Sequence, residues 1–366
     1  MQNIAHPSLL LPAALVAQIR ACTTEAEKAK QLLPAQLAII QQSNWFHLFV
    51  PEYYGGLNLS LPEVVQLEEA LAWTDGSFGW VVTLCAGAAM FVGFMDPELA
   101  EDIFQTPDTC LAGSGQATGI AKETDNGFEI SGSWPYASGA PHATHFTANC
   151  KLEKDGILIT DESGDDVIQS FIFKRDEVVL QENWEYIGLN ATAGYSYTVD
   201  AVKVPANRTF IINQQHAVLP APIYHYPFLQ MAECTLAANI AGMCIRFFDL
   251  AKDMLAAKQT TNQRAASVKE KGLELLQTTV AEMNQLRDAF YTALQHSWNV
   301  HIDTKKTDTE ALEMVSLTSR NLANGTRVWV DKIFPYLGLD AARTHEPINQ
   351  VWRNIHTASQ HSLLIQ

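Results

Sequence analysis

A block of β-strand signals set between two helical stretches constrains this chain more than any other feature. From Thr109 to about Phe210 the apolar pattern shortens and alternates, giving candidate strands at Cys110 to Ala117, Phe128 to Tyr136, Thr144 to Leu152, Gln169 to Phe173, Val178 to Trp184 and Tyr195 to Val204. Gly, Asp and Asn fill the gaps between them. After Pro220 the pattern turns helical. Phe228 to Lys258, Ala265 to Trp298, Thr309 to Phe334 and Ile348 to Ile365 are of bundle length, with breaks at Gln259 to Gln263, Asn299 to Thr307 and Pro335 to Pro347. The expected class is therefore α+β: an N-terminal α-helical domain over 1–108, a central antiparallel β domain over 109–215, and a C-terminal four-helix bundle over 216–366.

Within the first hundred residues, Glu25 to Gln42 carries Ala, Leu and Ile at helical spacing, with Thr23 or Thr24 as its cap. Pro51 and the pair Gly55-Gly56 interrupt the pattern, and a second helix is expected from Pro62 to Trp73. Phe78 to Met95 carries no charge until Asp96. It is short for a membrane span, and Gly79, Gly87 and Gly93 suit close packing, so it reads as a helix buried on all sides. No other comparable segment is expected. Asp96-Pro97-Glu98 should start a further short helix.

A chain of 366 residues can build a large core in two or three layers, and 47% hydrophobic with 17% charged residues is ordinary for a globular protein. A net charge of -16 argues against nucleic acid or an anionic membrane as partner. Six scattered cysteines without a CxxC pair fit a reducing, cytoplasmic setting and neither a disulfide framework nor a metal site. The apolar run Leu9 to Ala17 has no preceding Lys or Arg, which disfavours a secretory signal. Gly113 to Gly119 is glycine-rich, but a turn and a strand follow it rather than a helix to receive a pyrophosphate, so a dinucleotide fold is rejected.

The stretch Gly127 to Cys150 is the candidate centre. Phe128 and Ile130 alternate with Glu129 and Ser131, and Pro135 should interrupt ladder pairing. Ala137 to Pro141 is expected as a loop, with a second strand from His142 to Cys150. There Ser138 would offer both a hydroxyl and an amide to a flat ring. The plain alternative is an ordinary Ser-Gly turn.

Two further segments place the chain. Residues 48–80, LFVPEYYGGLNLSLPEVVQLEEALAWTDGSFGW, resemble the N-terminal signature of the acyl-CoA dehydrogenase superfamily. Residues 184–194, WEYIGLNATAG, followed by Val202 to Pro205, are similar to the segment that closes its β domain. The resemblance spans nearly the whole chain. It implies a flavin between the β domain and the C-terminal bundle, in a homodimer or homotetramer whose neighbouring bundle helps hold it.

Within that superfamily the string WPYASG at 134–139 and Trp352 to His361 look more like the reduced-flavin monooxygenases than the dehydrogenases. The dehydrogenases' tryptophan-isoleucine-threonine triplet falls on Tyr136, Ala137 and Ser138, and their usual glutamate falls on Ser362. Asn354 stands where the monooxygenases carry an aspartate, so one expected ion pair is lost. Glu233 lies near an alternative glutamate position and reads equally as a structural carboxylate. The arginine-x-x-phenylalanine-glycine element that grips FAD is not visible around Lys258 to Arg264, and the paired glycines of the adenine-side loop are reduced to Gly338. These departures imply exchangeable reduced flavin, FMNH2 or FADH2, rather than tight FAD.

The resemblance implies a monooxygenase acting with O2 on a small apolar or aromatic substrate, with reduced flavin from a separate reductase. It assigns Ser138 and His361 to catalysis, and Trp134, Tyr136, Ala137, Ser138, Gly139, Trp184, Thr192 and Arg353 to the cofactor. Ser138 would bond the ring's N5, Trp134, Tyr136 and Trp184 would form a dry wall, and His361 would move a proton. Arg353 and His361 are expected two helical turns apart on one face. Two alternatives stay open: an FAD-dependent acyl-CoA dehydrogenase using Glu233, and a binding or scaffold protein that keeps the fold. His361 could equally be a satisfied bundle histidine, and His142 and His145 surface strand residues.

Overall fold

The computed structural model describes residues 4–365. Five helices lead the chain: α1 (Ala13–Ala29), α2 (Pro34–Gln42), α3 (Leu61–Thr74), α4 (Gly76–Ala89) and α5 (Pro97–Phe104). Thr23 and Thr24 lie inside α1 and cap nothing. The expected single helix from Glu25 is split because Lys30 takes a left-handed conformation and Pro34 restarts the helix at its first position. Ser60 and Glu63 cap α3 reciprocally, and Asp75 caps α4 by accepting from the Phe78 amide.

Helix α4 and the 3₁₀ turn Met90–Phe94 that follows are almost entirely buried, as their lack of charge requires. Asp96 caps α5. Two stretches, Gly76–Phe94 and Phe228–Ala257, have the length and apolarity of a membrane span, so the uncharged segment after Phe78 is not alone in this respect. Both are wrapped by protein, 83% and 78% buried.

The central sheet has eight strands: β1 (Leu111–Thr124), β2 (Gly127–Ala137), β3 (His145–Lys154), β4 (Ile157–Leu158), β5 (Ile168–Lys174), β6 (Val179–Gln181), β7 (Tyr195–Val204) and β8 (Thr209–Phe210). Their order is β6-β7-β2-β1-β3-β5-β8, with β4 on β3. The sheet is mixed, not purely antiparallel. Strands β1 and β2 form a hairpin, and the 138–144 connection then carries the chain to the far side of β1, so β3 lies parallel to it. Strand β1 also continues through Gly119 to Thr124, where a turn was expected. A register shift between Ser114 and Gly119 absorbs the glycines.

Four long helices and one short one complete the fold: α6 (Pro222–His225), α7 (Phe228–Ala257), α8 (Gln263–Thr304), α9 (Thr309–Leu337) and α10 (Pro347–Ala358). Helix α9 runs through Pro335 into its last turn. Helix α10 stops at Ala358, where the His361 amide bonds back three residues to the Ala358 carbonyl and the chain enters the 3₁₀ turn Ser362–Leu364. His361 is therefore not on the helix that carries Arg353, and the expected shared helical face does not exist.

The N-terminal helices and the bundle share one core. Helix α3 packs along α7, where a Cβ on Gly242 would meet the Glu69 carbonyl oxygen at 2.1 Å. Glu69 and Arg287 of α8 form a buried two-pronged ion pair, with Nε to Oε1 at 2.8 Å. Removing one partner of such a pair costs about 3–5 kcal/mol, because the other charge stays buried.

Candidate active site

The corner at Tyr136 to Gly139 follows from the interruption that Pro135 predicts. Trp134 pairs with Tyr197 and Ala137 with Tyr195, so three steps along β2 face two along β7. The extra residue forms a bulge, with Tyr136 at φ +68°. The bulge turns Tyr136 outward, 52% exposed, while Ala137 is fully buried. Gly139 has φ +78°, and a Cβ there would stand 2.8 Å from Cys85 Sγ, so only glycine fits. The loop is pinned from both sides. The Gly139 amide donates to the Thr192 carbonyl at 2.7 Å, and the Cys85 thiol lies 3.6 Å from the Ser138 carbonyl.

Ser138 offers less than the sequence implied. Its amide closes on the Tyr136 carbonyl at 3.0 Å, leaving only the hydroxyl, which has no hydrogen-bond partner among the described residues. His361 borders the same turn of α4: its ring lies 6.4 Å from that of Trp80, while the adjacent Val81 and nearby Cys85 face Gly139. His361 Nδ1 accepts from the Leu363 amide at 3.4 Å, which places the proton of the neutral ring on Nε2. Burial lowers its pKa from the ordinary 6.5, so the ring is neutral at pH 7.

The other expected cofactor residues separate into two groups. Trp134 does not reach the corner's surface. It is fully buried, stacks on Tyr197 with ring centroids 5.3 Å apart, and donates to the Asn149 carbonyl. The strand's alternation places it on the core side before the bulge. Ala137 and Thr192 are also core, and Thr192 Oγ1 is spent on the Leu189 carbonyl at 2.8 Å. Arg353 acts as a strut, bonding Glu27 of α1, the Ile187 carbonyl at 2.8 Å and Asn349 at 2.9 Å. Trp184 is buried beside Tyr186, ring centroids 4.3 Å apart, and Tyr186 stands 6.5 Å from Tyr136.

Residues not singled out for the site hold the corner in place. Asn354 Oδ1 accepts from the Leu189 amide at 2.7 Å, replacing the lost ion pair with a buried hydrogen bond. Leu189 begins the 3₁₀ turn Asn190–Thr192, whose last carbonyl holds Gly139, so α10 positions the Ser138 loop through two hydrogen bonds. On α4, Trp80, Leu84 and Gly87 share one helical face beside the corner, and the last two are half-buried. The uncharged run from Phe78 was the sequence signal for this wall. His142 follows the corner on the 3₁₀ turn Ala140–His142. Burial pushes its pKa down to about 4, and its Nε2 has no partner.

The chemistry of this donor set fits a flavin edge. Ser138 presents a free hydroxyl, Tyr136 an exposed ring, and Trp184 Nε1, Thr357 Oγ1 and Ser359 Oγ are buried without partners on the segments that flank the corner. Glu233 does not serve as a free base: it is 1% exposed, with Arg320 Nη1 at 2.9 Å and the Ser316 hydroxyl on its other oxygen. Among the described residues, no cluster of three or more His, Cys, Asp or Glu could hold a metal. Two surface clefts, of about 460 and 310 Å³, lie elsewhere, beside Asp102 and Arg175 and beside Phe94 and Phe228. They contain neither Ser138 nor His361, and the free groups of the corner outweigh their size as a guide to chemistry.

The fold is that of the acyl-CoA dehydrogenases, and residues 234–366 match the family described as Acyl-CoA dehydrogenase, C-terminal domain. Among curated proteins the chain is 23% identical to the oxygenase subunit HsaA of a flavin-dependent monooxygenase from Rhodococcus jostii (strain RHA1), over 95% of this chain and 92% of that one. Its fold matches the crystal structure of 3-HSA hydroxylase from Rhodococcus sp. RHA1, with a TM-score of 0.88 and 20% identity over 98% of this chain and 93% of that chain. It also matches XiaF from Streptomyces sp. in complex with FADH2 and glycerol, with a TM-score of 0.82 and 17% identity over 98% and 93%.

Proposed function

We propose that this chain is the oxygenase component of a two-component flavin-dependent monooxygenase. It takes reduced flavin from a separate reductase and uses O2 to oxygenate a small apolar or aromatic substrate. One observation carries the reading: the groups left free at the corner are a hydroxyl and a neutral imidazole, whereas Glu233 is held by Arg320 and Ser316. That pairing disfavours the dehydrogenase alternative, which needs a carboxylate free to take a carbon-bound proton.

Reduced flavin supplies the two electrons that let one oxygen atom of O2 enter the substrate while the other leaves as water. Ser138 Oγ would bond the ring at N5, and Tyr136 would border its edge. Trp80 and Leu84 on α4 would exclude water on the substrate side. His361, neutral with its proton on Nε2, would donate a hydrogen bond from that atom to the reacting oxygen without giving the proton up. Arg353, Asn354 and Thr192 hold the corner in place through their hydrogen bonds within the protein. Lys258 Nζ bonds the Tyr336 carbonyl at 2.8 Å in the last turn of α9, and the single Gly338 that follows, in place of paired glycines, supports loose binding of FMNH2 or FADH2. Assembly as a homodimer or homotetramer would let a neighbouring bundle complete the cofactor site.

The test mixes the protein with chemically reduced FMN or FAD and oxygen. Slower return of the oxidised flavin spectrum, with hydrogen peroxide release that falls when substrate is present, supports the monooxygenase. Reduction of an artificial acceptor by acyl-CoA would replace it with the dehydrogenase, and failure to bind either flavin form with the scaffold.

A further inference from the structure

A second site lies where α1, the end of α3, the start of α4, α7 and the start of α10 meet. A recess of about 120 Å³ there is lined by two arginines, Arg20 and Arg246, by Thr23, Thr24 and Gln350, and by the acids Glu27 and Asp75. Among the described residues, the Arg246 guanidinium donates no hydrogen bond and has no acidic partner within ion-pair distance. Arg20 lies over the Trp73 ring at 4.3 Å and spends Nε and Nη2 on the Thr74 and Trp73 carbonyls, leaving Nη1 free.

The acids at the recess are already committed. Asp75 accepts from the Thr23 hydroxyl at 2.6 Å and the Phe78 amide at 2.9 Å, and Glu27 is paired with Arg353. Asp249 accepts from Trp73 Nε1 at 2.8 Å. With Asp253 it favours the charge on Arg246 from α7 without closing an ion pair. Burial, and then the repulsion of Arg246, lowers Arg20 to about 10, and burial lowers Arg246 as well. Two partly buried guanidiniums with unused donors, beside hydroxyls and two carboxyls already engaged elsewhere, form the arrangement that a small tetrahedral anion satisfies. The first turn of α10 adds its positive end.

We propose that this recess binds a phosphate-sized oxyanion between Arg20 and Arg246. The site is separate from the Ser138 corner, since Tyr136, Ser138 and His361 do not line it, and it is too small for a flavin. Asn354 touches both places: it lines the recess and holds Leu189. The bound anion therefore braces the junction from which the Ser138 loop is positioned.

Calorimetric titration of the full chain with inorganic phosphate, at fixed ionic strength set with chloride, tests this directly. Saturable binding of phosphate, reproduced by sulfate, is expected, and Arg246→Gln should raise Kd at least tenfold. Arg246→Gln removes no hydrogen bond seen in the fold, and its circular dichroism should match the parent. Absence of binding, equal binding by chloride, or unchanged phosphate affinity in Arg246→Gln would overturn the proposal. The wild-type titration keeps the test decisive even if that variant fails to fold. None of these readouts depends on flavin.

Discussion

The hydrogen bond from the Leu189 amide to Asn354 is the link by which the last helix reaches the candidate active site, and Asn354→Ala tests it. The substitution leaves a buried amide without an acceptor, which costs about 1–3 kcal/mol. It also opens a small void beside Gly76 and Met243, worth about 1 kcal/mol more. Unfolding entropy of about 2.1 cal/mol/K per residue over 366 residues gives about 0.8 kcal/mol/K. A loss of about 2–4 kcal/mol therefore lowers Tm by about 3–5 °C. The functional effect should exceed the stability effect, because the freed turn at Asn190–Thr192 also holds Gly139. At a temperature where the variant is fully folded, more hydrogen peroxide should be released per flavin oxidised. Asn354→Asp, which keeps an acceptor for Leu189, should restore most of the coupling. Asn354→Ala with parental Tm and parental coupling would refute the relay from α10 to the Ser138 loop.

Other residues give sharper single outcomes. Ser138→Ala should raise peroxide release while leaving the unfolding curve unchanged, and parental coupling would remove its hydroxyl from the site. His361 has a lowered pKa, so the unfolded chain takes up its proton first. Its contribution to stability is therefore full above pH 6.5 and declines as pH falls, and oxygenation should decline on the same acid side; His361→Asn should lower oxygenation and flatten that limb. Glu68 is fully buried, and burial pushes it up to about 8, so the folded state holds a proton that the unfolded chain has released above 4.5. The advantage of Glu68→Gln in unfolding free energy, read from denaturant titrations, should grow by about 1.4 kcal/mol per pH unit from pH 5 to 8 and then level off, and a pH-independent difference would contradict the buried proton. Glu233→Gln should destabilise by about 1–3 kcal/mol, reduced from the fully buried case because Arg320 is one-third exposed. Acyl-CoA-dependent acceptor reduction should be absent both before and after that change, and its presence before and loss after would restore Glu233 as a base.

The order of helical and strand segments was legible in the sequence because periodicity and turn residues are local properties of the chain. Pro135 announced the break in β2, and the uncharged run from Phe78 announced a buried helix. The resemblance carried by WPYASG and by Trp352 to His361 pointed to the corner and to the chain's last turn. What the sequence left undecided depends on packing between distant segments. The parallel pairing of β1 with β3 follows from where one connection crosses the sheet, and the end of α10 at Ala358 from a tightened turn with no proline or glycine to mark it. Trp134 and Arg353 looked like cofactor ligands because their motifs lie beside the site. The alternation of β2 faces Trp134 into the core ahead of the bulge, and Glu27, more than three hundred residues away in the chain, takes Arg353 as a strut. Asn354 read as a lost ion pair, and only the meeting of α10 with the Leu189 turn made it a buried hydrogen-bond acceptor. Local chemistry thus determined which groups this protein has to work with, and contacts between remote segments decided which of them remain free to react.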